Sequence, residues 1–215
     1  MVFSNIEFKN FQEKKNKNKI NKFLNNLIDS YLKKNNKILL SLSKKYHYNF
    51  NYEKLKKYKK KFDNFQIFGM GGSIHGAEAI YNFLKQRIKK KFVFINNINL
   101  LNNQNSKGRK FNIVISKSGD TLETVTNLNS QKINKNCLFI TENKKSYLRI
   151  LALKLKSEIV DHNNFIGGRY SVLSETGMIP AFFMNLNPDK FKRLDNLISS
   201  KKFIDYLTNN VSSIL

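Results

Sequence analysis

The sequence predicts an α/β fold: a three-layer αβα sandwich on a parallel sheet, preceded by amino-terminal helices. Three observations lead there. Short apolar runs at 65–68, 92–95, 111–115 and 137–140 have the length and composition of strands buried on both faces. Helical patterns at 77–88, 121–132 and 146–155 separate these runs, as crossovers between parallel strands require. Glycine-containing turns follow the first and third runs, at the strand ends where open parallel sheets bind ligands.

Ahead of the first strand, Ile20, Phe23, Leu24, Leu27, Ile28, Tyr31 and Leu32 recur at three- and four-residue spacing and fall on one stripe of a helix. A weaker stripe, Leu55, Tyr58 and Phe62, crosses the lysine-rich stretch before Asp63. The charge runs between these positions read as solvated faces. The chain then divides into a helical segment over 1–62, the α/β domain over 63–186, and a helical tail over 187–215. Pro188 and the polar residues at 185–189 mark the second boundary, and the tail reads as the start of a further domain.

A length of 215 residues suits one α/β domain with accessory helices and is short for two full domains. The formal net charge of +24 invites a nucleic-acid partner. The lysines, however, are spread along the chain among Asn, Ile and Phe rather than gathered into a patch, so no specific nucleic-acid partner is expected. There is neither an apolar run of about 18 residues nor an apolar leader, so the expectation is a cytoplasmic protein with no membrane partner. The single cysteine, Cys137, lies in an apolar run, which reads as a buried strand position and excludes a disulfide framework and a cysteine zinc site.

The turn after the first strand reads Gly69-Met70-Gly71-Gly72-Ser73-Ile74-His75-Gly76 and opens a helix. Its glycines let backbone N–H groups approach an anion at the helix start. A dinucleotide site is excluded: Ile74 stands where G-x-G-x-x-G has its third glycine, and no acidic residue occurs between Glu78 and Asp120 to hold a ribose. A phosphate loop of the G-x-x-x-x-G-K-[ST] type is excluded by its missing ending.

The turn after the third strand, Ser116-Lys117-Ser118-Gly119-Asp120-Thr121-Leu122-Glu123-Thr124, is richer. Three hydroxyls and an ammonium around one glycine suit a phosphate monoester, whose oxygens accept many hydrogen bonds and whose charge is favoured at a helix amino terminus. Helix capping by Ser118 or Asp120, with Glu123 completing a capping box, accounts for those residues but leaves Ser116, Lys117 and Thr121 unexplained. Further on, Gly167 and Gly168 precede Arg169, whose guanidinium they allow to be aimed inward and which stays charged at any working pH.

In this order, Gly-Met-Gly-Gly-Ser, Ser-Lys-Ser-Gly-Asp-Thr-Leu-Glu-Thr and Gly-Gly-Arg-Tyr-Ser-Val-Leu-Ser resemble the glucose-6-phosphate isomerase family within the sugar isomerase (SIS) fold, over about 65–185. The resemblance implies that Gly72 and Ser73 face the substrate and that Ser116, Lys117, Ser118 and Thr121 hold its phosphate. It implies that Arg169 stabilises the cis-enediolate formed between glucose 6-phosphate and fructose 6-phosphate, a step of glycolysis and gluconeogenesis. The family uses no cofactor or essential metal and commonly works as homodimers. Alternatives within the resemblance are a non-catalytic sugar-phosphate-binding module and a dual glucose/mannose-phosphate isomerase.

The family's base glutamate lies several tens of residues beyond its Gly-Gly-Arg motif, so these residues read as an amino-terminal part, truncated before the base and inactive alone. Glu175 does not take that role, and His47, His75 and His162 read as surface or loop histidines. Asp120 departs from the hydroxyl or small residue usual at its position, as do Ile74 and His75 after the Gly-Gly-Ser turn. A carboxylate so near the phosphate would weaken binding unless it turns away to cap a helix.

Overall fold

The computed structural model describes residues 17–33, 36–98, 109–131 and 133–214. The chain forms two compact units, residues 47–191 and residues 1–46 with 192–215.

The larger unit begins with α3 of the chain (Tyr52–Lys61), which follows α1 (Lys17–Leu32) and α2 (Lys37–Ser41) of the smaller unit. Asn51 caps α3 by accepting from the Glu53 N–H at 2.7 Å. At its other end the Lys90 ammonium donates to the carbonyls of Lys59 and Phe62 and lies 3.6 Å from Asp63 Oδ1, placing a cation where the helix dipole is negative. The order is then β1 (Asn64–Phe68), α4 (His75–Leu84), β2 (Lys91–Ile95), β3 (Lys110–Ile115), α5 (Leu122–Asn129), β4 (Cys137–Thr141), α6 (Tyr147–Lys154), β5 (Glu158–Asp161) and α7 (Glu175–Phe183).

All five strands are parallel, in the order β2-β1-β3-β4-β5. The order reverses direction at β1, so the carboxyl ends of β1 and β3 flank the switch point at which such sheets bind ligands. Alternation along the strands feeds two cores. Phe65, Ile67, Phe111, Ile113, Ile115, Leu138 and Ile140 pack with α4 and α7, while Phe68, Val114, Cys137 and Phe139 pack with Leu128 of α5 and Leu148 and Ala152 of α6. Phe65 stacks on Phe92 at 5.0 Å and meets Phe183 of α7 at the same distance. Helices on both faces of the sheet make the three layers that the sequence predicts.

Two elements of the larger unit were not legible in the sequence. β5 offers only Ile159 and Val160 between two acidic residues, too short a run to read as a strand, yet its register with β4 is complete from Leu138–Glu158 to Thr141–Asp161. Every residue of α7 is buried, so the segment has no polar stripe to betray a helical period, and it carries Gly177 and Pro180 inside.

In the smaller unit α1 packs against α9 (Lys201–Ile214), which α8 (Leu194–Ile198) precedes. Tyr31 donates to Asp195 Oδ1 at 2.5 Å and Thr208 donates to Asn21 Oδ1 at 2.9 Å. Lys192 is buried, with its ammonium on the Ser41 carbonyl at 2.5 Å and over the Tyr46 ring.

Candidate functional site

The loop after β3 gathers its hydroxyls. Ser116 Oγ lies 2.8 Å from Thr121 Oγ1 and 3.4 Å from Ser118 Oγ, and Ser118 Oγ lies 3.3 Å from Thr121 Oγ1. Three hydroxyls within mutual hydrogen-bond range, at the amino end of α5, form a donor set suited to an oxyanion. Gly119 makes the turn possible at φ +76°, and a Cβ there would come within 2.2 Å of Ser146 Oγ. Its N–H donates to Ser116 Oγ at 3.1 Å, and its carbonyl accepts from the Leu148 N–H at 3.0 Å.

Asp120 does not cap its own helix. The residue before α5 is Thr121, whose side chain makes no capping bond, while Asp120 Oδ1 accepts from the Tyr147 N–H at 2.7 Å and so caps α6 instead. That geometry turns the carboxylate onto a second helix amino terminus, which offsets its charge. Ser118 Oγ supports the loop itself by accepting from the Asp120 N–H at 3.2 Å.

The Lys117 ammonium is not among the hydroxyls. It donates to the Asn164 carbonyl at 2.6 Å and lies 3.5 Å from Glu142 Oε1. Glu142 also pairs with Lys144 at 2.9 Å. The hydrogen bond from Lys144 holds the Glu142 carboxyl below the ordinary carboxylate range, with Lys117 adding to it and burial opposing.

The first loop meets the third. Gly71 (φ +55°), Gly72 and Ser73 form a short 3-10 turn, and Gly168, Arg169 and Tyr170 form another. Gly72 rests directly on Gly168: a Cβ on Gly72 would lie 2.3 Å from the Gly168 carbonyl oxygen. Ser171 Oγ lies 3.0 Å from the Gly72 carbonyl and 2.8 Å from that of Gly168, bridging the two turns. Arg169 is exposed and, with Gly72, His75, Ala79 and Phe83, lines an open groove of about 540 Å³ along α4. Ser73 is half-buried at the end of the first turn.

His75 is exposed, 3.4 Å from Glu78 Oε2, and His47 is exposed. His162, read as a surface or loop histidine, lies in the loop after β5 and is buried there at 4% exposure, with Nε2 3.2 Å from the Ile166 carbonyl and Nδ1 3.8 Å from Glu175 Oε2. Glu175 is fully buried and accepts from the Asn49 N–H at 3.0 Å. Sequence reasoning missed Glu142 and Asn164, because both act on the loop from positions far along the chain. Among the described residues, no group of three or more His, Cys, Asp or Glu side chains could hold a metal ion, and no helix is long and apolar enough to cross a membrane.

Comparison with known proteins adds kinship. No family model matches the chain. It is 33% identical over 158 residues to the glucose-6-phosphate isomerase of Acholeplasma laidlawii, covering 64% of this chain and 37% of that protein. With the glucose-6-phosphate isomerase of Onion yellows phytoplasma it shares 32% identity over 166 residues, 66% of this chain and 39% of the relative. The chain thus spans little more than a third of the length of these relatives. The crystal structure of a glucose-6-phosphate isomerase from Chlamydia trachomatis superposes with a TM-score of 0.51 at 24% identity, over 66% of this chain and 30% of that one, and supports the fold. The chain is accordingly related in sequence to glucose-6-phosphate isomerases and shares an α/β fold with part of one of them.

Proposed function

We propose that this chain is the sugar-phosphate-binding part of a glucose-6-phosphate isomerase. The observation that carries the reading is the cluster of Ser116, Ser118 and Thr121 hydroxyls, 2.8–3.4 Å apart, at the sheet's switch point. In this reading the phosphate ester sits on those hydroxyls and the amino end of α5, with Lys117 adding positive charge nearby. Gly72 and Ser73 bound the sugar. Arg169 stands at its carbonyl end, where a guanidinium stabilises charge that develops on an enediolate oxygen. The reaction moves a proton between C2 and C1 and calls for a base, a role the reading assigns to none of these residues. Asp120 is committed to the Tyr147 N–H, and Glu142 to Lys144 and Lys117. The 215 residues alone are therefore expected to bind the sugar phosphate without appreciable turnover. A cytoplasmic homodimer using neither cofactor nor metal completes the proposal.

Isothermal titration with fructose 6-phosphate tests it. The expected result is saturable binding that Ser118→Ala weakens by about 10-fold or more, as for loss of a hydrogen bond to a charged group. Binding that is indifferent to Ser118→Ala and disappears with added salt would reduce the site to bulk attraction by a basic chain.

A further inference from the structure

Lys117 joins two loops that the sequence keeps far apart. Its backbone belongs to the hydroxyl loop, and its ammonium reaches the Asn164 carbonyl at 2.6 Å. Asn164 opens the turn that runs through Gly167 and Gly168 to Arg169, a turn closed by bonds from the Ile166 N–H to the Asn163 carbonyl and from the Tyr170 N–H to the Gly167 carbonyl. A lysine on an exposed carbonyl would swing freely, since a long side chain loses rotamer entropy when held. Here Glu142 stands beside it at 3.5 Å, with a side chain only 14% exposed, so solvent screens the pair less than it would at the open surface.

Glu142 is itself fixed. Its N–H donates to the Lys117 carbonyl at 3.1 Å, and its own carbonyl accepts from Arg149 Nη1 at 3.2 Å. Arg149 is anchored in turn on Asp161 Oδ1 at 2.8 Å, at the end of β5. The Glu142 backbone is therefore fixed at the carboxyl edge of β4, and the ammonium beside its carboxylate spans from the hydroxyl loop to the turn before Arg169.

We propose that Glu142 is a positioning residue of the site: by holding the Lys117 ammonium on the Asn164 carbonyl, it ties the phosphate-binding hydroxyls to the turn that presents Arg169. The proposal rests on the sugar-phosphate reading above. It assigns Lys117 a structural task as a strap in addition to its charge.

The strap and a plain electrostatic role predict opposite signs. If Glu142 only offset the Lys117 charge, Glu142→Gln would free that charge and tighten every anion. If Glu142 maintains the strap, Glu142→Gln weakens a ligand that needs both the hydroxyls and Arg169, and spares one that needs the hydroxyls alone.

The experiment has a ligand-free arm and a binding arm. In the unliganded protein, amide exchange over 163–170 is followed for the parent, Glu142→Gln, Lys117→Met and the double variant. Both single variants should exchange about 5-fold faster there, and the double variant no faster than either single. Titration then compares fructose 6-phosphate with inorganic phosphate, and Glu142→Gln should lose about 5-fold for the sugar phosphate and little for phosphate. Unchanged exchange in Lys117→Met overturns the strap even if Glu142→Gln proves unstable. Tighter binding of both ligands by Glu142→Gln overturns it as well. A parent protein that binds neither ligand brings down the sugar-phosphate reading, while the exchange arm still decides whether the strap exists.

Discussion

Gly72 and Gly168 stack backbone on backbone, with no side chain between them, and this contact sets the third loop against the first. A Cβ on Gly72 would intrude to 2.3 Å from the Gly168 carbonyl oxygen, whereas one on Gly167, a single residue earlier, would meet nothing within 4 Å.

Gly72→Ala should therefore lower stability by about 1–3 kcal/mol through backbone overpacking and weaken fructose 6-phosphate binding. Gly167→Ala, at an extended φ of −75°, should leave both nearly unchanged. Thermal melts and titration of the two variants side by side check the pair.

Asp120 separates fold from ligand. Asp120→Ala removes the acceptor for the Tyr147 N–H and should cost about 1 kcal/mol of stability, as loss of a helix cap does. Phosphate affinity should hold or rise slightly, because a negative charge leaves the neighbourhood of the hydroxyls. A matched loss of affinity in calorimetry would show the carboxylate to be part of the anion site.

Alkaline pH should loosen the smaller unit. Burial, aided by the bond to Asp195, pushes the Tyr31 phenol up to about 12. A folded value above the unfolded one stabilises fully below pH 10 and is lost as the pH climbs toward 12. Tyr31→Phe should be less stable than the parent at neutral pH, and the gap should close between pH 10 and 12 in denaturant melts.

The acid limb reads Glu142. Its carboxyl is held low, chiefly by Lys144, so its stabilisation is present above the ordinary carboxylate value of about 4.5 and fades as the pH falls below it. Lys144→Met should flatten the decline in stability between pH 5 and 3, measured by melting temperature across that range.

What the sequence disclosed and what it withheld divide by range. β1 to β4 were legible as apolar runs because burial on both faces writes itself into consecutive residues. The hydroxyl loop was legible because Ser116, Ser118 and Thr121 act within six positions of one another. The partners of that loop were not: Asp120 meets Tyr147 27 residues on, and Lys117 meets Asn164 47 residues on. Such pairings are products of topology, and no local pattern announces them. His162 was legible as a loop residue but not as a buried one, since Glu175 at the start of α7, a helix the sequence also concealed, lies against it.

The full burial of α7 bears on how the chain assembles. A segment that presents no polar face to water, and that carries a glycine and a proline against its own helicity, gains little by forming alone. It has to wait for β1, β3 and α4 to supply its walls, so its docking falls late in folding. In any state where that docking has not occurred, Met178, Ile179, Phe182 and Phe183 lose their cover together.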